Sequence, residues 1–135
     1  GHSDVQVENR IEGDFKGLVF TTGVMKMAGN RVYKQDNIIA AFGRDYPEND
    51  TLKWEKESVG LAVAVPQKQV ASQIDDKTIY LFQVTPDIRG RIDYSFEMLW
   101  RKSEWLKDLS DTECVLGLME SVRRAQTAVV VSRIP

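Results

Sequence analysis

A chain of 135 residues has room for one domain with its own core, and 42% apolar against 28% charged residues is the balance of an ordinary globular chain. Its 18 Lys and Arg are interleaved with 20 Asp and Glu for a net charge of −2, which argues against a nucleic-acid binder and its basic stripe. A single Cys, a single His and the lack of any apolar run near the roughly 20 residues of a membrane helix argue against a disulfide, a His/Cys zinc site, His-based catalysis and a membrane span.

Gly1-His2-Ser3 reads as a cloning remnant. Residues 4–135 read as a single β-sandwich domain, expected to be the C-terminal portion of a longer protein, because Asp4-Val5-Gln6-Val7 already has a strand pattern. Val5, Val7 and Ile11 alternate with polar residues, and Glu12-Gly13-Asp14 supplies a turn. Leu18–Met25 reads as a longer strand, with Arg31–Gln35 as its hairpin partner across Ala28-Gly29-Asn30. Ile38–Phe42 is a continuous apolar run, the mark of a strand covered on both faces.

The polar segment from Arg44 to Glu57 is the longest loop expected. In Val59–Val65 the large residues Val59, Leu61, Val63 and Val65 alternate with Gly60, Ala62 and Ala64. Such a small-residue face lets another element approach closely, and Pro66 ends the strand. Thr78–Val84 reads as a buried strand, closed by Pro86-Asp87. Arg91–Trp100 alternates most clearly: Ile92, Tyr94, Phe96, Met98 and Trp100 share a face expected to be core rather than a binding platform.

Beyond Ser103 the period changes. Glu104–Leu109 reads as a short helix, and Ser110 with Glu113 forms a capping box ahead of a second helix. Val115, Leu118, Met119 and Val122 lie on one face of it, with Arg123 and Arg124 toward its C-terminal end. Ala128–Ile134 reads as a last strand. The expected fold is mainly β: an antiparallel β-sandwich of about seven strands with one or two helices near the C-terminus.

No phosphate-binding glycine fingerprint or nucleophile elbow is present. Cys114, among Val115, Leu116 and Leu118, reads as a small buried hydrophobe. Trp54 and Tyr46 in the long loop, with Tyr33 beside them in rank, are candidate stacking surfaces for a sugar; the plainer reading makes each an apolar anchor. Arg89 and Arg91, flanking Gly90, suit a uronic-acid carboxylate or a sulfate, against the plainer reading of a solvated hairpin tip. Lys26, closing its strand, has the same standing, whereas Asp36 beside Lys34 reads as half of a surface ion pair. Asp45, Glu48, Asn49 and Asp50 gather oxygens as a calcium loop does but lack EF-hand spacing, so no metal or other cofactor is expected. No catalytic residue is assigned.

Five segments in sequence order resemble the C-terminal half of a family of secreted or periplasmic bacterial proteins. Those proteins are encoded beside unsaturated glucuronyl hydrolases in polysaccharide-utilisation clusters. The segments are Leu18–Lys26, Ile39–Gly43, Val59–Pro66, Ile92–Phe96 with Trp100, and Glu104–Leu106. The resemblance implies a galactose-mutarotase-like supersandwich acting on uronic-acid-containing poly- or oligosaccharide, by lyase, dehydratase or hydrolase chemistry. It also implies a periplasmic or secreted location and a missing N-terminal portion as natural partner. Two other readings stand beside it: a non-catalytic carbohydrate-binding module, and a structural domain that pairs with another copy of the chain. Neither nucleic acid nor membrane is expected as a partner.

Overall fold

The computed structural model describes residues 4–44, 57–103 and 106–131. Among them the alternating segments form eight strands: β1 (Asp4–Arg10), β2 (Phe20–Met25), β3 (Ala28–Gln35), β4 (Ile38–Arg44), β5 (Ser58–Ala64), β6 (Val70–Asp75), β7 (Ile79–Val84) and β8 (Arg91–Trp100). One long helix, α1 (Asp111–Val131), follows. The strands make two antiparallel sheets, a five-stranded one ordered β1-β8-β5-β4-β3 and a three-stranded one ordered β2-β7-β6. The fold is therefore the expected mainly-β sandwich.

The larger sheet is covered on both sides, and the run Ile38–Gly43 is buried throughout. Its odd-numbered side chains Ile39 and Ala41 join Val63, Phe82, Val84 and Ile92 in an interior shared with the smaller sheet. Its even-numbered ones, Ile38, Ala40 and Phe42, join Ala62, Ala64, Leu99 and the α1 stripe Val115, Leu118, Met119 and Val122. The small-residue face of β5 does what its composition implies and admits the helix at close range. α1 starts at the expected capping box: Ser110 Oγ accepts from Glu113 N at 3.2 Å, while Glu113 Oε2 accepts from Ser110 N at 2.7 Å.

Three expectations need correction. The segments on either side of residues 28–30 form no hairpin with each other; β2 pairs with β7 in one sheet and β3 with β4 in the other, the partner of each being set by the register that buries its apolar face. A strand at Val70–Asp75 is added as the polar, mostly exposed edge of the smaller sheet, where period-two apolarity is weak. No strand forms at Ala128–Val131, which continues α1 despite its β-branched residues; extending a nucleated, docked helix costs less than starting another element. Glu104 and Trp105 of the expected short helix lie outside the described residues; beyond them Leu106 N donates to Ser103 O at 2.9 Å and Leu109 N to Leu106 O at 3.2 Å. α1 supplies one wall of the second core cluster.

The largest departure is β8. Ile92 is in the core and Tyr94 packs against it, but Phe96, Met98 and Trp100 are 39%, 57% and 52% exposed. Ser95, Glu97 and Leu99, on the opposite face, are buried instead. The aromatic face outruns the three-stranded sheet, while α1 packs over Leu99 on the other face.

Candidate functional site

The connection from β7 to β8 is built around one carboxylate. Asp87 Oδ1 accepts from Arg89 N at 2.8 Å and Arg91 N at 2.9 Å, and Oδ2 accepts from Arg91 Nε and Nη2, both at 3.2 Å. Gly90, at φ 72°, makes the turn; a Cβ there would lie 2.9 Å from Ile11 O and 3.0 Å from the Phe15 ring. The Arg91 amide, above all, keeps the Asp87 carboxyl below the usual carboxylate range, followed by the Arg89 amide and the Arg91 side chain. Arg89-Gly90-Arg91 is thus a fixed platform and not a loose tip. Arg91 has already committed its guanidinium to Asp87, whereas Arg89 is exposed and, among the described residues, in no ion pair.

This platform forms one side of a groove of about 750 Å³, within the range of small-ligand sites. The early residues of β8 and their β1 partners, Asp93 beside Glu8 and Ser95 beside Gln6, make its floor. Lys68 and Pro66, after β5, make a second side, and Arg123 and Gln126 of α1 a third. Gln6 Nε2 donates to Ala125 O at 2.8 Å, and Gln126 Nε2 to Ala64 O at 2.9 Å, so the helix wall is pinned to the sheet. Arg123 is braced by Glu120 and by Gln35 Oε1, at 2.9 and 2.6 Å. Four cations, Lys68, Arg89, Arg91 and Arg123, face two carboxylates, Glu8 and Asp93. Such a surface attracts anions and offers them hydrogen bonds from several directions.

Of the residues singled out in the sequence, Arg89 and Arg91 meet here, joined by Lys68 and Arg123, which carried no sequence signal as ligands. Lys26 lies elsewhere: it pairs with Asp75, as Lys34 also does, and both ammonium groups sit over the Tyr80 ring, 4.5 and 4.3 Å from its centroid. Lys34 therefore pairs with Asp75 and not with Asp36, whose carbonyl accepts from Gln73 Nε2. Tyr33 is partly exposed on β3. Trp54, Tyr46 and the acidic cluster Asp45, Glu48, Asn49 and Asp50 lie outside the described residues. Among the described residues no three His, Cys, Asp or Glu side chains are grouped to hold a metal. Cys114 is buried in the helix-side core, where burial raises its thiol pKa despite the Arg101 Nη1–Sγ contact of 3.2 Å.

A family model described as a domain of unknown function, DUF4861, matches residues 1–116, a span that includes both sheets and the first turns of α1. The chain belongs to the DUF4861 family. No curated protein and no solved structure matches it. Within this DUF4861 chain the matched span carries three of the groove's cations, Lys68, Arg89 and Arg91; Arg123 lies beyond it.

Proposed function

We propose that this DUF4861 domain binds uronic-acid-containing oligo- or polysaccharide in the groove between β8, the Asp87 platform and α1. It does so as part of a secreted or periplasmic carbohydrate-active protein of lyase, dehydratase or hydrolase type, or as a binding module. One observation carries this reading: cations from three separate parts of the chain converge on a single groove that also holds Asp93, Asn37 and Gln126. Guanidinium and ammonium groups recognise sugar carboxylates or sulfates, and the amides suit hydroxyls. The resemblance of Leu18–Lys26, Ile39–Gly43 and Val59–Pro66 to proteins of uronic-acid polysaccharide clusters supports the same ligand class. A supersandwich relationship belongs to this proposal as well.

The test is a titration of the isotope-labelled chain with saturated and unsaturated uronic oligosaccharides, with a neutral trisaccharide as control. Amide shifts are expected around residues 68, 89–95 and 123, and Arg89→Ala or Lys68→Ala is expected to weaken binding by roughly tenfold each, the worth of one charge-assisted hydrogen bond. Shifts scattered over the surface, or equal for the neutral sugar, would refute the reading. Incubation with the same oligosaccharides separates turnover from binding alone.

A second reading, an interaction domain, is favoured by the exposed row Phe96, Met98 and Trp100 with Val5 beside Phe96. On it, another copy of the chain covers this face. Sedimentation should then show a dimer that Met98→Lys dissociates; a monomer at high concentration eliminates it.

A further inference from the structure

β8 enters the larger sheet before β5 has a residue to set against it. The β5–β8 ladder ends at Ala64↔Ser95, and the register carried onward places Pro66 opposite Asp93. Proline has no N–H to donate. The stretch from Arg91 to Asp93, which lies in the groove, thus runs beyond the end of its neighbouring strand.

A side chain takes the strand's place. Gln69 is a polar residue only 2% exposed. Its Nε2 donates to Arg91 O at 2.8 Å, and its Oε1 accepts from Asp93 N at a longer 3.4 Å. One amide group bonds the carbonyl of residue 91 and the N–H of residue 93, as the peptide of an adjacent strand does. The main chain of Gln69 is also tied: its N donates to Pro66 O at 2.8 Å and its O accepts from Thr85 N at 2.9 Å. All its hydrogen-bonding groups are therefore in use, and they link the short turn bearing Lys68 to the strand bearing Arg91 and Asp93.

We propose that Gln69 is a positioning residue of the groove, setting the spacing between Lys68 on one wall and Arg91 and Asp93 on the other, and hence which acidic saccharide fits. This rests on the groove being the binding site proposed above. The residue touches no ligand in this role; it acts through the backbone it holds.

Two variants test it. Gln69→Leu keeps the bulk and removes both bonds. Gln69→Glu keeps an acceptor for Asp93 N but offers a donor to Arg91 O only when protonated, a form that burial favours as pH falls. Two readouts are taken on the intact chain: hydrogen exchange at the Asp93 amide, and affinity for trigalacturonate against maltotriose. For Gln69→Leu, Asp93 exchange should quicken at least tenfold and trigalacturonate affinity fall at least tenfold, with β4 amides as protected as before. For Gln69→Glu, affinity relative to wild type should be low at pH 8 and recover toward pH 5, which loss of general stability does not produce. Unchanged affinity in both variants, with the wild type binding, overturns the proposal. If the wild type does not bind trigalacturonate, the groove reading fails for that sugar, and Asp93 exchange alone decides whether Gln69 holds the strand. Should Gln69→Leu not fold, Gln69→Glu carries the same two readouts.

Discussion

A Cβ placed on Gly60 would come within 2.5 Å of Leu118 Cδ1 and 3.0 Å of Phe42 Cδ2. Both neighbours are fully buried, and Leu118 is held between the helix and the sheet, so neither has free space to move into. Gly60→Val is accordingly expected to destabilise the chain by about 1–3 kcal/mol through overpacking. A lower urea midpoint with an unchanged slope is the measurement; an unchanged midpoint would mean that α1 does not rest on this strand. The alternation of Gly60, Ala62 and Ala64 with large residues carried this information in the sequence. What it did not carry was the identity of the approaching element, which lies some sixty residues away in the chain.

Among elements, α1 depends most on local chemistry. The Ser110–Glu113 box satisfies amides that the first turn leaves open, and Ser110 Oγ also donates to Glu113 Oε2 at 2.7 Å. Ser110→Ala should cost about 1 kcal/mol, read as a shift in the denaturant midpoint, and should leave the β-sheet spectrum intact. A box of this kind is legible because its partners are three residues apart. The C-terminal end of the helix is not: Ala128–Val131 prefers extended structure by composition, and continuation of the helix overrides that preference. The hairpin expected around residues 28–30 fails for a related reason. Turn residues permit a reversal, but the partner of each strand is set by which register buries its apolar face.

Across the whole molecule the two sheets are fastened at their margin by Asp75 of β6, which takes Lys26 from the β2–β3 connection and Lys34 from β3. The Lys26 ammonium, and then that of Lys34, holds the Asp75 carboxyl below its ordinary value, and the Arg91 amide does the same for Asp87. For a carboxyl depressed by folding, the stabilisation is complete above the unfolded pKa of about 3.9 and is lost as pH falls through the lower folded value. Stability should therefore be level with respect to these groups from pH 5 to 7 and decline below about pH 4. Asp75→Asn and Asp87→Asn, assayed by thermal melting across that range, should each flatten part of the decline; a decline of the same steepness in both would assign it to other groups.

The sequence by itself determined the fold class, the doubly covered strand Ile38–Phe42, the helix start at Ser110, the close-approach face of β5 and the pairing of Arg89 with Arg91 around a glycine turn. These follow from local periodicity, capping and backbone freedom, which a few neighbouring residues contain. Only the tertiary structure decided that Ile92 is core while Phe96 and Trp100 are exposed on the same face, since burial there depends on where another sheet ends. It alone brought Lys68 and Arg123 to Arg89 and Arg91, and it alone gave Gln69 its place beside β8. A charged or amide side chain has no periodic signature, and its role is fixed by what distant segments set opposite to it.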